Sequence, residues 1–202
     1  LFLDNGNRVY GVEPNEKMRG AAEELLSNNP NFISVAGSAE ATTLKLNSVE
    51  MIAAGQAFHW FDRAATKAEF IRILKPHGWV VLVWNERKDD STPFLREYEQ
   101  LLRRYSRDYE RVDHRKITNE ILEEFFSPAK FRKRVFEKTQ DFDREGLLGR
   151  LRSSSYVPAP GEPHHEIIVR EAEGLFEKYA ENGKVRFEYS TAMYFALFKA
   201  PH

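Results

Sequence analysis

The sequence predicts an α/β fold built on a doubly wound, mostly parallel sheet, with a helical insertion and an antiparallel strand near its C-terminal end. Three observations carry this. The first half alternates short apolar segments with helical patterns, the rhythm of β-α-β units. WVVLVW at Trp79–Trp84 is apolar at every position, which suits a central strand covered by helices on both sides. In the closing VRFEYSTAMYFALF, Val185, Phe187, Tyr189, Thr191, Met193, Phe195 and Leu197 alternate with the intervening residues, the two-residue period of a strand with one face buried.

Taken in order, Arg8 to Glu13 reads as a first strand, stopped by Pro14. Its last residue is an acid, placed at the carboxyl end of a strand, where open α/β sheets bind ligands. Asn15 is suited to cap a helix with Met18, Ala22, Leu25 and Leu26 on one face. The NNPNF stretch breaks that helix before a second strand, Phe32 to Ala36, and SVEMIAAG at Ser48–Gly55 is a third. Asp62 then caps a helix with Ala64, Ala68, Ile71 and Leu74 on one face, and LKPHG at Leu74–Gly78 turns the chain into the strand at Trp79–Trp84.

The second half is more helical. Pro93 stands at a first helical position, followed at helical spacing by Phe94, Tyr98, Leu101, Leu102, Tyr105 and Tyr109. A shorter helix starts at Thr118, KFRKRVFEKTQDF reads as a strand, and another helix starts at Asp143. YVPAPGEP at Tyr156–Pro163 has the composition of a loop. A long helix carrying Ile168, Ala172, Leu175, Phe176 and Tyr179 follows, with Asn182–Gly183 as its stop.

The bulk composition excludes several functions. The chain has 202 residues, enough for one core, and 30 Lys and Arg against 31 Asp and Glu, a formal charge of -1. That balance argues against a surface built for nucleic acid. No apolar run approaches the roughly 20 residues that span a bilayer, so the expectation is a soluble cytoplasmic protein with no membrane partner. There is no cysteine, which removes disulfides, thiolate nucleophiles and cysteine metal sites. His164 and His165 lack an acidic or histidine partner at metal spacing, so no metal site is expected. The basic run from Lys130 reads as a solvated strand edge.

Four stretches then line up in order: VYGVEP at Val9–Pro14, VAGSAEA at Val35–Ala41, AAGQAFHWF at Ala53–Phe61 and ILKPHGWVVLVW at Ile73–Trp84. Together they resemble class I S-adenosylmethionine-dependent methyltransferases, especially the small-molecule group that includes trans-aconitate methyltransferases. The resemblance implies a single methyltransferase-like domain over 1–202, with a Rossmann-like cofactor half at 1–92 and an insertion with C-terminal strands at 93–202. It implies S-adenosylmethionine as cofactor and a small-molecule acceptor, a carboxylate or a hydroxyl. Glu13 would take the ribose hydroxyls, which suits a group offering only acceptors. Ser38, the Ala39 amide and Glu40 would lie along adenine, Met18 would pack on its face, and Gln56 would meet the methionine end. His59, Trp60 and Phe61 would face the substrate, with His59 as the base for a hydroxyl or amine acceptor. For an anionic acceptor, Arg87, Arg152 and Tyr156 are the candidate holders.

The resemblance also implies a glycine-rich loop after a central first strand, and 1–202 contains neither. LFLDNGNRV instead reads as the tail of a helix stopped at Asn5–Gly6, so a preceding segment is expected to supply that strand. Two other functions compete with methyl transfer: a non-catalytic binding module on the same fold, and a nucleotide-cofactor oxidoreductase, in which an acid ending the second strand also serves ribose.

Overall fold

The computed structural model describes residues 1–106 and 117–198. Tyr109, expected on a helix face, lies outside them. The chain divides into two compact units, one of Leu1–Leu82, Ile117–Arg132 and Tyr194–His202, the other of Val83–Lys116 and Lys133–Met193.

The first unit opens with a turn whose geometry is that of a helix end. Gly6 N–H donates to Leu3 O and Asn7 N–H to Phe2 O, with Gly6 at φ 81, the paired bonds of a left-handed C-terminal cap. Strand β1 (Val9–Val12) then pairs in parallel with β2 (Phe32–Val35), with Val12 opposite Val35. Helix α1 (Glu16–Leu25) connects them, and Asn15 Oδ1 caps it by accepting from the Lys17 and Met18 amides. Its expected apolar face is not covered: Met18 is 63% and Leu25 83% exposed.

Strand β3 (Val49–Gly55) belongs to a second sheet with β4 (Leu74–Arg87), β6 (Val185–Leu197) and β5 (Arg132–Phe142), in that order. Just before β3, the Asn47 and Ser48 amides donate to the Arg72 and Ile73 carbonyls at the end of the helix that precedes β4. Against β4 the last strand runs the other way: Phe198 N–H meets Gly78 O, and Lys88 N–H meets Glu188 O. The antiparallel C-terminal strand is therefore present. Among the described residues no strand pairs with the second edge of β1 or of β3, so the β strands form two sheets.

Helix α2 (Arg63–Ile73) is capped by Asp62, which accepts from the Ala65 amide. Its buried face is Thr66, Glu69, Phe70 and Ile73, not Ala64, Ala68 and Ile71. Phe70 and Ile73 carry far more apolar area than two alanines, and the two polar groups on that face are hydrogen-bonded. The LKPHG stretch is also not a turn but the start of β4. The last helical carbonyls are taken by the chain leading into β3, so no glycine cap is needed and Leu74 is already extended. Phe58, Phe70, Phe125, Phe126 and Phe198 form the aromatic centre of this unit, α4 (Asn119–Phe126) supplying two of the rings.

In the second unit, α3 (Pro93–Tyr105) starts with Pro93 behind a Thr92 cap, and α5 (Arg144–Arg152) starts behind Asp143, as expected. Helix α6 (His165–Tyr179) packs on both. The core here is Phe94, Leu95, Tyr98, Leu101 and Leu102 against Leu147, Leu151, Ile168, Ala172, Phe187 and Tyr189. Helix α6 ends before Asn182–Gly183, which instead form a left-handed turn into β6 bridged by Glu181 and Lys184. The alternation of β6 holds through Val185, Phe187 and Tyr189, after which the buried positions are Ala192 and Ala196. Strand β5 is the exposed edge predicted for the basic run.

Candidate functional site

The candidate residues of the first unit are linked through one chain of contacts. Because β1 and β2 run in parallel and in register, their carboxyl ends lie side by side: Glu13 N–H donates to Val35 O at 3.1 Å. Glu13 Oε1 accepts from the Asn15 amide at 2.8 Å, while Arg19 holds the Glu13 carbonyl at 3.1 Å. The carboxylate is thus aimed, with acceptor capacity left over.

Beyond β2 the chain folds into a tight turn in which Ser38 and Ala41 exchange both backbone hydrogen bonds at 3.2 Å. Gly37 makes this possible, because a Cβ there would stand 2.8 Å from Ala41 O. The Ala39 amide takes no part in the bridge and sits at its tip. Ser38 donates to Glu40, whose carboxyl it holds below the usual carboxylate range. Having given its proton to Glu40, the Ser38 oxygen can still accept one. Glu40 Oε1 also accepts from Asp62 N at 3.0 Å and from Thr66 Oγ1 at 3.4 Å. Its carboxylate therefore ties the turn to the start of α2.

A second acid fixes the next residue. The Thr42 amide (2.9 Å) and hydroxyl (2.5 Å) both donate to Glu69 Oε1, and Arg72 grips the same carboxylate at 2.6 and 2.7 Å. Arg72 also reaches Leu44 O at 2.7 Å. These donors, Arg72 foremost, bring the Glu69 carboxyl down to about 2. Sequence reading missed Glu69; its signal was an acid three residues after Thr66 and next to Phe70, on the buried side of a helix.

Directly before Asp62 lies the aromatic turn. Gln56, just past β3, is held at φ 54, a left-handed backbone rare outside glycine. A single 3-10 turn over Phe58–Trp60 follows. Phe58 anchors it against Phe125, ring centroids 4.7 Å apart. That leaves His59 half-buried with its ring 4.8 Å from Trp60, which is 70% exposed. Phe61 is turned inward, edge-on to Phe58 and Phe70 at 5.9 and 6.4 Å. Met18 stands exposed one turn into α1.

Arg87 and Tyr156 belong to the second unit. The Arg87 guanidinium is largely buried, donates to Glu99 Oε2 at 2.6 Å and lies over the Tyr98 ring at 5.1 Å. Tyr156 is half-buried against the core of that unit, whereas Arg152 is exposed. Among the described residues no cluster of histidines and acids is arranged to hold a metal ion. None of the described helices is long and apolar enough to cross a membrane.

Comparison with known proteins places this geometry. Residues 1–82 match the methyltransferase domain family. An uncharacterized methyltransferase-like protein of Schizosaccharomyces pombe is 42% identical over 79 residues, 39% of this chain and 30% of that protein. An uncharacterized methyltransferase of Mycobacterium bovis is 33% identical over 103 residues, 51% of this chain and 41% of the relative. The matches thus span less than half the length of these curated relatives. Among solved structures, a type II methyltransferase candidate from Anaeromyxobacter dehalogenans superposes with a TM-score of 0.59 at 23% identity, covering 97% of this chain and 82% of that one. Residues 1–82 are thus similar to the methyltransferase domain family, and the chain shares the Rossmann-like α/β fold of the solved methyltransferase structure.

Proposed function

We propose that the protein binds S-adenosylmethionine and transfers its methyl group to a small-molecule acceptor. The observation that carries this reading is the Glu13 carboxylate, aimed at the carboxyl end of β1 beside the Ser38–Ala41 turn, within the stretch that matches the methyltransferase domain. Glu13 offers acceptors to a pair of ribose hydroxyls, and Ser38 offers one to an adenine amino group. The Ala39 amide is a donor beside them, and Gln56 lies toward the methionine end. Bound S-adenosylmethionine supplies a methyl group already activated by the sulfonium charge.

What remains for the protein is alignment and exclusion of water. Trp60 and His59 present aromatic faces that favour a nearby cation. His59 takes the proton when the acceptor is a hydroxyl or an amine, and a carboxylate acceptor needs no base. Glu40 and Glu69 keep the turn in place from behind.

Two measurements test the reading. S-adenosylhomocysteine is expected to bind at least tenfold more tightly than NAD by calorimetry; tighter binding of NAD would mean an oxidoreductase. Transfer of a labelled methyl group to members of a panel of acids, phenols and amines is expected, and cofactor binding with no transfer to any of them would favour a binding module.

A further inference from the structure

Strand β5 leaves one edge of its sheet open. It lies last in the strand order, with β6 as its neighbour among the described residues. Along its 11 residues, alternate positions therefore point their N–H and C=O groups away from the sheet. Edges of this kind are normally kept short or covered, because they are templates for pairing with another chain.

The two faces of the strand differ, since successive side chains point to opposite sides. One face carries Lys133, Val135, Glu137, Thr139 and Asp141. Both of its acids are taken, Glu137 by Lys88 at 2.6 Å and Asp141 by Arg186 at 2.7 Å. The other face carries Arg134, Phe136, Lys138, Gln140 and Phe142, with no acid. At its C-terminal end that face is covered, the Phe142 ring standing 5.2 Å from that of Phe187. Toward its start it is open. Phe136 is 53% exposed in mid-strand, and it is flanked by Arg134 and Lys138, both exposed and neither ion-paired among the described residues.

Charge alone suffices to keep an edge from aggregating. A phenylalanine set between the two charges adds nothing to that protection and gives a partner an apolar contact. The complement of the stripe is well defined. Its three positions repeat at about 6.7 Å, the spacing of alternate side chains on any strand laid alongside. An acid opposite Arg134, an apolar side chain opposite Phe136 and an acid opposite Lys138 satisfy all three at once, while the incoming backbone fills the open hydrogen bonds. A second copy is a poor match, because antiparallel pairing about a two-fold axis would set one basic face against the other. We propose that β5 is a docking edge for an extended acidic protein segment, one whose acid, apolar residue and acid alternate along a single face. The inference stands on the second unit alone and goes beyond methyl transfer, which uses none of these side chains.

The probe is the labelled peptide Ser-Glu-Thr-Val-Thr-Glu-Ser, which reads the same in either strand direction, titrated against the purified protein by fluorescence anisotropy. It is expected to bind at least tenfold more tightly than the same peptide with lysine in place of both glutamates. N-methylation of alternate backbone amides, tried in both sets, should cost at least tenfold in the set that faces β5. Arg134→Glu combined with Lys138→Glu should weaken the acidic peptide at least tenfold and make the lysine peptide the tighter ligand, whereas Arg170→Gln on the exposed side of α6 should change neither. Failure of the acidic peptide to bind, equal binding of the lysine peptide, indifference to methylation in both sets, or unaltered affinity in the double variant would each overturn the assignment. So would tighter binding of oligouridylate or of phosphatidylserine vesicles, which would make the basic face a nucleic-acid or a membrane surface. If the double variant does not fold, the methylated and unmethylated peptides on the native protein decide. Cofactor binding is read separately, so failure of one proposal leaves the other standing.

Discussion

Replacing Glu69 by glutamine isolates the electrostatic part of the clasp behind the candidate cofactor turn. In the folded chain the Glu69 carboxyl titrates at about 2, against 4.5 when free, and each unit of difference corresponds to about 1.4 kcal/mol. The full shift is worth about 3.4 kcal/mol, and because Arg72, its main partner, is 40% exposed, solvent screening brings this to about 2 to 3 kcal/mol. A carboxyl whose pKa falls on folding stabilises the fold fully above its unfolded value and loses that contribution as pH drops toward the folded one. Between pH 7 and pH 3 the native protein should therefore lose about 1.5 kcal/mol that Glu69→Gln does not lose. Urea unfolding of both proteins at the two pH values measures the difference directly. A gap between native and variant that stays constant from pH 7 to pH 3 would refute the argument, because the clasp would then be a matter of shape and not of charge.

Other outcomes follow from the same geometry. Glu13→Gln keeps an acceptor for the Asn15 amide but loses the charge, and should weaken S-adenosylhomocysteine binding by about 1.5 to 3 kcal/mol with little change in melting temperature; calorimetry reads the first and a thermal scan the second. Glu99 bridges Arg87 at 2.6 Å and Arg103 at 2.9 Å from a buried position, so Glu99→Gln should destabilise the protein by about 3 kcal/mol in denaturant titration. At Gly78 a Cβ would stand 2.5 Å from Leu74 Cδ2 and 3.0 Å from Lys75 O. Gly78→Ala should therefore cost about 1 to 3 kcal/mol by crowding the start of β4, and an unchanged melting temperature would show that Leu74 can move aside.

Residue by residue, the sequence was most legible where a local rule acts alone. Asn15 and Asp62 cap the helices expected of them, and the helices expected to start at Pro93, Thr118 and Asp143 do so behind Thr92, Thr118 and Asp143 caps, because an N-cap depends only on residues within one turn. Glu13 at the end of a strand was visible for the same reason, as was the apolar run that became the inner part of β4. The antiparallel direction of β6 was also foreseen, from its alternation and its place after the helical insertion.

What the tertiary structure decided were the choices between faces and between partners. The buried side of α2 turned on Phe70 and Ile73 meeting a core, which periodicity with alanines could not rank. Whether the apolar side of α1 is covered depends on what packs against it, and here Met18 and Leu25 remain exposed. Glu69 became a clasp only because Thr42 and Arg72 converge on it. Arg150 and Tyr189, 39 positions apart in the chain, became one group only when α5 and β6 packed together. The sequence by itself determined most of the elements, the starts of the helices and the acid after β1, since these follow from short-range sterics and hydrogen bonding, whereas the ends of α2 and α6 did not follow its turn signals. Long-range contacts alone assigned each buried polar group its partner, because no local pattern records which distant donor will satisfy it.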